Sequence, residues 1–203
     1  MTIQRPLVLA SRSPRRIALL RQIGMHAVVV PGDIPEVFDD NDTVPGNACR
    51  LALAKARTVA ADVADAIVIG ADTIVAIDHH VLGKPEDRQD AIRMLTLLSG
   101  RTHTVVTAFA LIDRPSECER VAFEETRVTF RDLPADEIAD YAGTGSPMDK
   151  AGGYGIQDDY GAVFVSRVDG CYYNVVGLPL SRLYTTLREF STMVRTQGGS
   201  HGS

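Results

Sequence analysis

At 203 residues, with 45% hydrophobic and 23% charged side chains, the chain has the make-up of a globular protein able to bury a full core. Its net charge of −5 argues against nucleic acid or a membrane surface as the main partner, since both are met by basic faces. No apolar run reaches the ~18 residues of a membrane span, and no signal-peptide pattern opens the chain, so the expected location is the cytoplasm.

In chain order, Leu7-Val8-Leu9-Ala10 reads as a buried strand. Ser13 as N-cap, Pro14 at the first helical position and Gly24 as stop mark a helix between them. Ala27 to Val30 is a second strand, and an acidic loop then leads to a long Ala-rich helix from about Pro45 to Ala64. Ile67 to Ile77 is a strand, apolar and β-branched enough to be covered on both faces. A helix over Asp87 to Leu98 stops at Gly100, and Val105–Ile112 and Phe123–Phe130 read as long strands. A helix near Ala135–Tyr141 precedes a Gly-rich stretch. Ala162–Val168 and Tyr172–Val176 then read as a hairpin about Asp169-Gly170, and a last helix begins near Leu178-Pro179. Helices and strands alternate early and strands cluster late, which predicts a mixed α/β protein with one central sheet. A single domain is expected over residues 1–195, with 196–203 a flexible tail of linker composition.

One residue breaks this pattern. Asp72 lies inside the most apolar strand, where an ionised carboxylate costs several kcal/mol. A cation compensates it, or it stays protonated, or the strand opens onto a cleft; the plainer alternative is a strand-end Asp bonded to nearby backbone. Ser11-Arg12-Ser13-Pro14-Arg15-Arg16 sets three arginines at a helix N-terminus, either an anion site suited to phosphate or a capped surface helix with solvated arginines. Asp33 and Glu36 form a loop carboxylate pair that could complete a hard-cation site with Asp72. Lys55 falls on the inward stripe Ala48, Leu51, Lys55, Val59. Lys84 is fixed in a turn, and Gly152, Gly153 and Gly155 precede Gln157, whose amide can read a base edge. Cys49, Cys118 and Cys171 show no paired spacing, and each histidine, isolated His26 and His103 included, reads as solvated or core-satisfied.

Ala10 to Arg16, Arg50-Leu51-Ala52 with Lys55-Ala56, Gly70-Ala71-Asp72-Thr73, Leu82-Gly83-Lys84-Pro85, Leu98-Ser99-Gly100 with His103, and Asp149 to Gln157 together resemble the Maf family of nucleoside triphosphate pyrophosphatases over nearly the whole chain. The resemblance implies an elongated mixed β-sheet flanked by helices, similar to inosine-triphosphatase-like proteins, with a central substrate cleft. Asp72-Thr73 and the Tyr154-Gly155-Ile156-Gln157 segment resemble the branch acting on dTTP and UTP rather than on 7-methyl-GTP. The loop Asp33-Ile34-Pro35-Glu36 departs from the family's usual Asp-Ile-Asp-Glu.

By that resemblance Asp72 is the catalytic base and, with Glu36, a metal ligand; the metal is Mg2+ or Mn2+, with Co2+ a further candidate. Ser11, Arg15, Arg16, Lys55 and Lys84 hold the phosphates, and Arg15, Thr73 and Gln157 set base preference. The implied reaction is hydrolysis of dTTP, UTP or modified pyrimidine nucleotides to monophosphate and pyrophosphate, a pool-cleaning task, in a homodimer. Two alternatives stand beside it: a nucleotide-binding regulator of septum formation with incidental hydrolysis, and a purine-reading inosine/xanthosine triphosphatase.

Overall fold

The apolar runs become strands of one sheet in the computed structural model, which describes residues 5–78, 80–157 and 160–198. His79, His201 and residues 199–203 of the expected tail lie outside the described residues. Among those described, the strands are β1 (Leu7–Ala10), β2 (Ala27–Val29), β3 (Ala66–Ile77), β4 (His80–Leu82), β5 (Thr102–Arg114), β6 (Glu119–Phe130) and β7 (Val165–Asp169). Their order is β2-β1-β3-β5-β6-β7, with β4 on β3. β1 is parallel to both β2 and β3, pairing Leu7 with Ala27 and with Ile67, whereas β4 and β7 run antiparallel to β3 and β6. The sheet is therefore mixed, as the alternation predicted. The helices are α1 (Pro14–Gln22), α2 (Val44–Ala60), α3 (Arg88–Leu98), α4 (Ala135–Gly143), α5 (Gly161–Phe164), α6 (Tyr172–Val176) and α7 (Leu180–Gly198). None of the described helices is long and apolar enough to cross a membrane.

Two compact units divide the chain. The first holds the residues up to Asp72, Thr107–Glu124 and the segment from Gly177; the second holds Thr73–Val106 and Glu125–Val176. In the first, α1 packs on β2 and α2 on β1, and α7 buries Leu180, Leu183, Leu187, Phe190 and Val194 at helical spacing. In the second, α3 packs on α4 beside two short 3₁₀ turns, Ser146–Asp149 and Ala151–Gly153. Its core centres on aromatic rings that meet edge to face, Phe130 with Tyr154 at 4.7 Å and Tyr141 with Phe164 at 5.0 Å.

The expected hairpin after Ala162 is not formed. Gly161–Phe164 is a short helix, β7 pairs with β6 from Arg127↔Asp169 to Phe130↔Val165, and Tyr172–Val176 is helical. The cause is side-chain hydrogen bonding that no local pattern reveals. The Thr126 hydroxyl donates to the Cys171 carbonyl and accepts from the Cys171 N–H and from the Asn174 amide, whose nitrogen also donates to Val105 O. That fills the hydroxyl's capacity and satisfies the chain after Gly170 without a partner strand. Elsewhere the differences are at ends. α2 closes at Ala60, where Ala61 and Asp62 bond back to Arg57 and Val59, and β5 and β6 extend beyond the apolar stretches that announced them.

Candidate active site

Gly70 decides where Asp72 can find a partner. Strand alternation puts residues 70 and 72 on one face of β3. A Cβ at Gly70 would lie 2.3 Å from Ala52 O, 2.7 Å from Ala56 N and 2.8 Å from Ala56 Cβ, so the backbone of α2 lies directly on the strand there. Lys55, on the same turn of α2, thereby delivers Nζ to 2.5 Å from Asp72 Oδ1 and 2.6 Å from Glu36 Oε1. The inward stripe Ala48, Leu51, Lys55, Val59 is buried as predicted. Lysine and Asp72 are 8% and 6% exposed, while Glu36 is open to solvent, so one edge of this triad is accessible. Of the three readings of Asp72, compensation by a cation is the one observed.

The loop after β2 is held by a second close approach. A Cβ at Gly32 would come within 2.8 Å of Lys55 O, so only glycine lets Asp33–Glu36 start flush against α2. Its two carboxylates then part company. Asp33 takes Arg12 in a two-pronged, solvent-exposed pair at 3.1 and 2.5 Å, and Glu36 takes Lys55. Arg12 thus belongs to a surface ion pair of small energetic worth. Arg16 is anchored instead: Nε donates to Gly177 O at 2.9 Å and Nη1 to Ser11 Oγ at 3.3 Å. Ser11 is buried and also accepts from Ser13 N, while the Ser13 side chain makes no cap bond. Burial and neighbouring Arg15 lower the Arg16 pKa, against the opposing pull of Asp72 and Glu36, so these four charges share one field. Burial raises the Asp72 pKa above its usual 3.8; Lys55 and Arg16 work against the rise and Glu36 adds to it.

The other predicted residues lie in the second unit. Thr73 follows Asp72 on β3 and, by alternation, shares the opposite face with Val75. Gly152, at φ 71°, packs on Val75, where a Cβ would meet Cγ1 at 3.0 Å. Its N–H donates to Gly83 O at 2.9 Å, and Gly153 lies against Pro85, so the turn carrying exposed Lys84 is pinned to the Gly-rich segment. Gln157 ends that segment, half-buried. Lys150 is structural: its ammonium is buried and donates to Ser146 O, Ser146 Oγ and Asp149. Of the solvated and core readings left open for His103, the structure shows the core one: it is buried and bonded through Nε2 to the Tyr154 hydroxyl at 2.7 Å.

Ser11, Arg15, Arg16, Glu36, Lys55 and Asp72 are thus all carried by the first unit, and Thr73, Lys84 and Gln157 by the second. The sequence reading overlooked Gly32 and Gly70. A lone glycine in an apolar strand signals close backbone approach, so Gly70 was open to discovery. Among the described residues no group of three or more acidic, His or Cys side chains forms a ready cation cage. Glu36 and Asp72 nevertheless converge on one cation, the Lys55 ammonium, and two carboxylates completed by substrate phosphates suffice for Mg2+. The donor set fits a hard divalent ion.

Comparison with known proteins gives the family. The family described as Maf-like protein matches residues 6–190. A dTTP/UTP pyrophosphatase of Moorella thermoacetica is 48% identical over 93% of this chain and 96% of its own. Proteins of the same description from Koribacter versatilis and Symbiobacterium thermophilum are each 50% identical, the first over 90% of this chain and 93% of its own, the second over 95% and 97%. With a match of that extent and relatives of that similarity, this chain belongs to the Maf-like protein family.

Proposed function

We propose that this chain hydrolyses dTTP and UTP to the nucleoside monophosphate and pyrophosphate. The observation that carries the reading is the buried Asp72–Lys55 pair with Glu36 at its solvent edge, in a chain similar over 93% of its length to a dTTP/UTP pyrophosphatase. Asp72 accepts the proton of a water attacking the α-phosphorus; a pKa raised by burial makes it a stronger base than a solvated carboxylate. Arg15, Arg16, Lys55 and Lys84 neutralise the triphosphate and the departing pyrophosphate, and Ser11 steadies Arg16. Glu36 and Asp72 hold a divalent ion, Mg2+, Mn2+ or Co2+, which when bound supplies Lewis acidity and charge neutralisation at the phosphates. Thr73, Gln157 and Arg15 set the preference for a pyrimidine. A mismatched base leaves polar groups unpaired at ~1–3 kcal/mol each, enough for preference among nucleotides, modified pyrimidines included.

The reading includes a cytoplasmic homodimer that keeps the nucleotide pool clean. The test is product analysis with each canonical nucleoside triphosphate and 7-methyl-GTP, with and without added Mg2+ or Mn2+. Monophosphate and pyrophosphate from UTP and dTTP, lost on chelation, are expected. Preferred turnover of 7-methyl-GTP or of purine triphosphates would overturn the branch assigned, and release of orthophosphate would overturn the reaction.

A further inference from the structure

The Gly-rich segment that carries Gln157 is clamped residue by residue, and one clamp is polar where an apolar contact would serve packing alone. Gly152 is pressed on Val75 and bonded to Gly83 O. Gly155 is met by Gly161, where a Cβ would fall 2.5 Å from Gly155 O, and Ile156 is buried. Between them Tyr154 is buried and its hydroxyl lies 2.7 Å from His103 Nε2. His103, 2% exposed on β5, is itself fixed edge to face by Phe130 at 5.0 Å and by the Tyr154 ring at 5.4 Å. Its Nδ1 has no hydrogen-bond partner among the described residues. A buried ring nitrogen left in that state is a cost that Phe or Leu at position 103 would avoid. What the imidazole adds over an apolar ring is the bond to Tyr154, and that bond fixes the residue three before Gln157.

We propose that His103 is a positioning residue for base selection: through Tyr154 it holds the Gly152–Gln157 segment in the one arrangement that aims Gln157. The inference rests on the functional reading above. Preorganisation of this kind acts on the affinity and selectivity of the base-reading step more than on phosphate binding.

The test uses Tyr154→Phe, which keeps the ring and removes the hydroxyl, and the double variant His103→Phe/Tyr154→Phe, which replaces the polar pair by an apolar one. The loss of one hydrogen bond predicts a rise of about fivefold in KM for UTP in Tyr154→Phe, exceeding any fall in kcat, and a similar loss of UTP-over-CTP preference. Inhibition by inorganic tripolyphosphate, which has no base, is expected to stay as in the wild type. The double variant is expected to regain thermal stability without regaining selectivity. An unchanged UTP-over-CTP ratio in Tyr154→Phe, weakening of tripolyphosphate in step with UTP, or recovery of selectivity in the double variant overturns the inference alone. A wild-type protein indifferent to the base overturns the functional reading and this one with it.

Discussion

One methyl group at Gly70 should separate the two charges at the centre of the site. In Gly70→Ala the new Cβ would stand 2.3 Å from Ala52 O and 2.7 Å from Ala56 N, both backbone atoms of α2 and both inside the 3.0 Å that real Cβ contacts respect. Relief requires α2 to withdraw by the difference between 2.3 and 3.0 Å, about 0.7 Å, and Lys55 moves with it. The 2.5 Å contact to Asp72 then opens beyond 3 Å. Overpacking of this kind costs ~1–3 kcal/mol, and a chain of this length loses roughly 2–4 °C of Tm per kcal/mol. A displacement approaching 1 Å costs up to ~10²-fold in rate, so kcat/KM on UTP should fall by ~10–10²-fold. The measurement is a urea titration followed by two probes, because the chain has two compact units, together with steady-state turnover. Gly143→Ala serves as control: at the end of α4 the nearest atom to its Cβ is an Arg88 guanidinium nitrogen at 3.7 Å, and the change should stabilise by ~0.5–1 kcal/mol. A Gly70→Ala protein with the wild-type midpoint and turnover would refute the contact of α2 with β3 as what places Lys55 on Asp72.

Further outcomes follow from the charges. Lys55 lowers and Glu36 raises the Asp72 pKa, so the acid limb of kcat/KM should move to higher pH in Lys55→Met and to lower pH in Glu36→Gln; pH–rate profiles showing both limbs moving the same way would contradict the triad's electrostatics. Burial lowers the His103 pKa from 6.5 to about 4, so its neutral form contributes stability that is full above the unfolded value of 6.5 and is lost as pH falls toward 4. Between those limits the contribution amounts to about 3 kcal/mol at 1.36 kcal/mol per pK unit, and His103→Gln should flatten the decline of unfolding free energy with acid. Parallel curves for variant and wild type would contradict a neutral buried imidazole.

Much of the fold was legible because its signals are local. The apolar run of β3, the Pro14 and Gly24 punctuation of α1 and the stripe of α2 all produced the elements they announce. Asp72 was legible as a candidate because its position contradicts its strand. What stayed hidden depends on partners distant in sequence. Arg12 and Arg16 look alike in the motif, yet Asp33 claims one and Gly177 O the other. Tyr172-Tyr173-Asn174-Val175-Val176 has strand composition, and Thr126, almost fifty residues earlier, makes it helical. Lys55 stands out in the sequence only as a lysine on an inward stripe; the fold, with its close approach at Gly70, shows that it holds two carboxylates at once.

Asp72→Asn tests the central claim most directly, since it removes the charge with little change of shape. Turnover of UTP should fall by ~10²–10⁴-fold, the usual contribution of a general base, while equilibrium binding of UTP and cooperative unfolding persist. Near-wild-type release of pyrophosphate by that variant would contradict the account.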